Sequence, residues 1–172
     1  MGGIFHLPEH DTVVAACARG GATIDRDRID RAHYAGTTAF LTDYEGDLPW
    51  DPYWREYLVR YVNTLAVPAE QQAAVHEHLD AEFATAAIWS RIIPGAPEAL
   101  QALAATGVRL GIVSNADGAV GQRLRDQEIL QVGPGLGVHV ECVIDSGEVG
   151  VMKPDPRIFH IALDAMGLAP DD

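Results

Sequence analysis

The stretch Val108–Asn115, reading VRLGIVSN, constrains this chain more than any other. An apolar run ending in two small polar residues is a buried strand that carries side chains to its carboxyl end, where open α/β sheets assemble their sites. Gly107 ahead of the run fits the residue after a helix, and Gly118 behind it lets the chain turn into the next. The local plan is helix, strand, polar tip, helix.

That plan repeats through the second half. After Pro94 and Gly95 come a helix to Thr106, the strand 108–114 and a helix from Ala119 to Gln127. A glycine-rich loop through Gly137, a strand Val138–Ile144 and a helix Pro156–Met166 stopped by Gly167 complete it. Such alternation predicts an α/β fold with a doubly wound parallel sheet. The first half is different. Short helices are predicted over 10–20 and 25–41, then one capped by Asp51 with Pro52 behind it. In that helix Trp54, Tyr57, Leu58, Tyr61, Val62 and Leu65 recur at the helical period, and the next, 68–87, offers Val75, Leu79 and Phe83 to the same core. Residues 10–90 therefore read as an all-helical module and residues 91–172 as the α/β portion, with 1–9 a glycine turn and a short apolar piece.

Composition narrows the functional classes. At 172 residues and 48% hydrophobic content the chain can bury one core with a modest insertion. A net charge of −13 excludes a phosphate-backbone partner, because nucleic-acid binders concentrate Lys and Arg. It does not exclude a small anionic substrate held by a few converging donors. No apolar run reaches the roughly 18 residues of a membrane span, and the N-terminus has no leader pattern, so a cytoplasmic protein is expected. Cys17 and Cys142, each inside an apolar run, read as buried reduced thiols.

Two stretches carry candidate chemistry: Ser114-Asn115 at a strand end, and Lys153-Pro154-Asp155-Pro156 ahead of a helix. A hydroxyl, a carboxamide and an ammonium brought together make a phosphate cradle, with Lys153 as point charge and Ser114 as a neutral donor. Taken alone, the first also reads as a polar loop start, Lys153 as a solvated lysine, and Asp155 as a helix cap. His76 and His78 point to different helix faces and read as solvated rather than metal-binding. Tyr53, Trp54, Tyr57 and Tyr61 read first as packing residues.

The segments IVSNADG and DSGEVGVMKPDPRIF resemble, in order and separation, the second and third motifs of the haloacid dehalogenase-like (HAD) hydrolase superfamily. The helical module matches the cap that one subclass inserts after its first motif. The resemblance implies a partial, doubly wound HAD-like Rossmannoid core with an inserted all-helical cap. It implies a hydrolase, phosphatase-like toward a small phosphorylated metabolite, working through an aspartyl intermediate with Mg2+. Ser114 would then hold the phosphoryl group, Asn115 orient it, and Lys153 neutralise nucleophile and developing charge. A 2-haloacid dehalogenase, which needs no metal, and a non-catalytic remnant acting as a binding or pairing module are the alternatives. In the first motif Met1 stands just after the nucleophile's position. Gly2 stands where a backbone carbonyl binds magnesium and cannot supply the usual acid/base carboxylate. Asp171 and Asp172 resemble a loop before a further strand, not metal ligands. The chain as written is therefore expected to be inactive as a phosphatase, marginally stable, and open to self-association through an exposed sheet edge.

Overall fold

Helices fill the first half because its apolar residues recur every three to four positions and so share one face. The structure, a computed structural model, describes residues 4–42 and 50–171. Contacts divide the chain into two units, one closing at Ile93 and the other opening at Pro94. The first holds β1 (His6–Leu7), α1 (His10–Arg19), α2 (Ile29–Thr42), α3 (Trp50–Thr64), α4 (Ala69–Phe83) and β2 (Arg91–Ile92). The predicted 25–41 helix is divided: the Asp25 carboxylate accepts from the Asp27 amide and opens a 3-10 turn that leads into α2. α3 starts at Trp50, so Asp51 stands inside its first turn. β1 and β2 pair antiparallel, Leu7 opposite Arg91, a two-residue ladder too short to leave a sequence pattern.

The core of this unit is aromatic. Tyr57, Tyr61, Val75, Leu79 and Phe83 are buried together. Trp54 stacks on Tyr57 at 4.9 Å, while Tyr57 and Tyr61 both meet Phe83 edge-on. The tyrosine stripe is thus packing, as its spacing predicted. Gly36 lets α2 approach α3, for a Cβ there would lie 2.6 Å from the Tyr57 ring. His33, which the sequence did not single out, is 2% exposed; its Nδ1 and the Tyr57 hydroxyl are 2.9 Å apart. Its Nε2 has no partner among the described residues, nor has the Tyr61 hydroxyl. Both expected thiols are buried and free, and burial pushes Cys17 up to about 11.

The second unit holds α5 (Ala96–Ala105), β3 (Gly111–Ser114), α6 (Val120–Asp126), β4 (Leu130–Val132), β5 (Val138–Val140), β6 (Cys142–Asp145), α7 (Ser146–Val149) and α8 (Arg157–Met166). β3 pairs parallel with β6, and β4 parallel with β5, giving the α/β class with two small parallel sheets of two strands each. The expected strand 138–144 is two strands, because its halves pair with different partners. The expected strand 108–114 shortens to 111–114, where it meets β6; ahead of it Arg109 forks onto Glu141. Ile144, Ile158 and Ala162 bury α8 against β6. No described helix is long and apolar enough to cross a membrane.

Two predictions follow from the aromatic core. Tyr61→Phe removes a hydroxyl that has no partner and should leave stability unchanged or slightly raised, whereas Tyr57→Phe should cost about 1 kcal/mol, read by urea unfolding. Desolvation pulls the His33 pKa from 6.5 down to about 4, against a smaller upward pull from Asp30. Below pH 6.5 the unfolded chain protonates this histidine while the folded one does not. Stability should therefore fall as pH drops from 6.5 to about 4, by roughly 3 kcal/mol for this group. His33→Phe should flatten that slope in melts recorded across the window.

Candidate functional site

Parallel register decides where the polar side chains arrive. Gly111 stands opposite Cys142 and Ser114 opposite Asp145, so β3 and β6 end level. Ser114 and Asp145 are 3% and 1% exposed, which makes this sheet end a polar floor inside an apolar frame. Beyond it the chain turns through residues 115–119 into α6.

Lys153 returns to the same place from 38 residues further on. Its backbone amide donates to the Asn115 Oδ1 at 2.7 Å, and the Asn115 Nδ2 donates to the Lys153 carbonyl at 3.0 Å. The Lys153 Nζ donates to the Val113 carbonyl at 3.1 Å, one residue before Ser114. The structure thus brings together Ser114, Asn115 and Lys153. Asn115 does so partly as a brace, with Oδ1 and one Nδ2 proton given to the Lys153 backbone.

The electrostatics of this corner are unusual for so acidic a chain. Lys153 is the only lysine among 12 basic residues, against 25 acidic ones, yet no described carboxylate pairs with it. Half-burial lowers its pKa by desolvation. An ammonium has three N–H donors, and one goes to Val113, so two remain for an anion. The nearby carboxylates are engaged elsewhere. Asp117 takes a two-pronged contact from Arg123 at 2.6 and 3.0 Å, which lowers its pKa. Asp145 accepts from the Val120 amide at 3.1 Å and from Gly147 at 3.0 Å. Asp155 stands one residue ahead of Pro156, the N-cap of α8; it accepts from the Arg157 amide at 2.9 Å and also pairs with the Arg157 side chain.

A magnesium site does not assemble from these groups. Among the described residues no cluster of three or more His, Cys, Asp or Glu is placed to hold a metal ion. Gly2, the expected carbonyl ligand, lies outside the described residues. Sequence reasoning also missed Ser146, whose hydroxyl bonds both backbone groups of Ala116. Its only signal was an Asp-Ser-Gly tripeptide closing an apolar run.

A protein of Mus musculus, haloacid dehalogenase-like hydrolase domain-containing protein 3, is 32% identical over 119 residues, 69% of this chain and 44% of its own length. A phosphoserine phosphatase of Thermus thermophilus is 56% identical over 41 residues, 24% of this chain and 16% of its own. A crystal structure of a dehalogenase with an intermediate complex, 18% identical, aligns over 96% of this chain and 69% of that one at a TM-score of 0.43. The chain spans less than half the length of the curated relatives it matches. The haloacid dehalogenase-like hydrolase model matches residues 7–172, from β1 through the cradle to the last helix. With Ser114, Asn115 and Lys153 standing together inside that match, the chain belongs to the haloacid dehalogenase-like hydrolase family.

Proposed function

We propose that the second unit is the phosphoryl-binding half of a phosphatase-like HAD hydrolase acting on a small phosphorylated metabolite. The carrying observation is the Lys153 ammonium at the end of β3, which donates to the Val113 carbonyl and has no carboxylate partner among the described residues, its backbone held to Asn115 next to Ser114. Lys153 supplies the charge that neutralises a phosphoryl dianion, Ser114 a short neutral donor, and Asn115 its remaining Nδ2 proton. Partial burial strengthens each of these contacts, since water does not compete for them fully. They are positioning and electrostatic roles, which is what phosphoryl transfer asks of a protein.

The chemistry stops at binding within the described residues. Asp117 and Asp145 are the carboxylates beside the cradle, and Arg123 and two backbone amides respectively hold them. Neither presents a free oxygen as nucleophile, so attack on phosphorus belongs to a group outside this set. Magnesium belongs to the family resemblance and would add charge that Lys153 alone provides here. The small anionic substrate fits a corner that carries positive charge in a chain of net −13. Self-association through the β3 edge not paired with β6 is a further proposal, read by sedimentation of the chain across a concentration series.

A single lysine makes the binding claim directly measurable. Amine labelling with trinitrobenzenesulfonate, read on the peptide containing Lys153, reports that ammonium alone. Inorganic phosphate should slow the labelling saturably, while chloride at matched ionic strength should not; a rate indifferent to phosphate contradicts the proposal. The pH of half-maximal labelling should lie below the roughly 10.4 of a free lysine, and phosphate should raise it by favouring the charged form.

The variants separate the roles. Ser114→Ala should weaken phosphate protection about tenfold, the worth of one hydrogen bond to a charged group. Asn115→Ala should raise the basal labelling rate as well, because Lys153 loses its brace. An unchanged basal rate in Asn115→Ala would remove Asn115 from the bracing role.

A further inference from the structure

The loop that carries Ser114 and Asn115 is fastened on its far side by the residues that open the DSGEVG segment, whose individual roles the sequence left unassigned. The Ser146 Oγ accepts from the Ala116 amide at 3.0 Å and donates to the Ala116 carbonyl at 3.2 Å. One hydroxyl thus satisfies both backbone groups of the residue directly after Asn115. Asp145, 1% exposed and level with Ser114, divides its carboxylate between two amides. One oxygen accepts from Val120 at the start of α6, and the other from Gly147 at the start of α7. Gly147 itself lies against the turn: a Cβ there would be 2.5 Å from the Gly118 nitrogen and 2.6 Å from the Asp117 carbonyl carbon. The backbone from 116 to 120 is therefore gripped at its first residue, at its middle and at its last.

We infer that Asp145 and Ser146 are positioning residues for the anion cradle, acting through the 116–120 backbone rather than by touching the anion. The inference rests on the phosphoryl-binding reading and adds to it the parts that hold its geometry. Asn115 faces Lys153 with its side chain while its carbonyl leads into Ala116, so the Ser146 contact fixes the peptide on which the brace hangs. A buried carboxylate that accepts two backbone amides is also an expensive group to place in a core, unless those amides need fixing. Displacement of a positioning group by about an ångström is enough to cost orders of magnitude in a site of this kind.

The test uses the intact chain and phosphate protection of Lys153. Ser146→Ala and Asp145→Asn should each weaken protection about fivefold or more, while Ser146→Thr, which keeps the hydroxyl, should restore it. Gln131→Ala is the control, because Gln131 makes an equivalent double contact with the Gly137 backbone in the loop between β4 and β5. It should bind phosphate as the parent chain does. Full protection in Ser146→Ala, or equal loss in Gln131→Ala, overturns the positioning role and leaves the binding reading standing. Absence of protection in the parent chain overturns the binding reading itself. Where Ser146→Ala does not fold, judged by circular dichroism, Asp145→Asn and Ser146→Thr decide the matter by the same comparison.

Discussion

Two hydrogen bonds between the Asn115 carboxamide and the Lys153 backbone join parts of the chain 38 residues apart, and the site exists because of them. β3 delivers Ser114 and Asn115 to a sheet end, but a strand end alone is a polar loop. α7 and the loop behind it deliver Lys153, but a lysine ahead of a helix is ordinarily solvated. Joined by a carboxamide that donates and accepts at once, Asn115 and Lys153 meet in a corner at the strand end that carries Ser114. The level ending of β3 and β6 makes that junction geometrically available, since a slip of one residue would turn Ser114 to the other face. Ser114-Asn115 and Lys153 are thus the two ends of one hydrogen-bonded clamp.

The helical unit is held by a different kind of force. Its core is ring against ring, with Tyr57, Tyr61, Phe83, Trp54 and Trp89 in mutual contact, and its polar groups are few and buried. Large rings bury much area for little conformational freedom lost, which suits a short bundle. The His33 Nε2 and the Tyr61 hydroxyl are among the groups this packing leaves without full hydrogen bonding among the described residues. A core of this kind tolerates acid poorly, whereas the end of β3 carries one half-buried ammonium whose charged form desolvation disfavours.

What was legible in the sequence was whatever repeats. The tyrosine stripe of α3, the Val75, Leu79 and Phe83 face of α4, and the strand–helix alternation after Pro94 each extend far enough for periodicity to speak. Pairing partners were not legible. Val138–Ile144 reads as one strand because nothing in its composition says that Val138–Val140 serve β4 and Cys142–Asp145 serve β3. Leu130–Val132 and the two-residue β1 and β2 are too short for a pattern, and α7 has four residues. Ser114, Asn115 and Lys153 were found through residue type and order, yet that Asn115 uses its carboxamide on the Lys153 backbone is a matter of tertiary placement. Asp145 and Ser146 lie in a segment the sequence singled out, but their bracing role was not legible for the same reason: their partners are backbone groups, which sequence does not label.

The central claim is that residues 114–116 and 153 form one anion-binding corner, and backbone amide NMR during a phosphate titration addresses it most directly. Saturable shifts confined to Ser114, Asn115, Ala116 and Lys153, with α4 and the helical core unmoved, are what the account predicts. Shifts absent at these four residues, or scattered among the surface arginines, would contradict it.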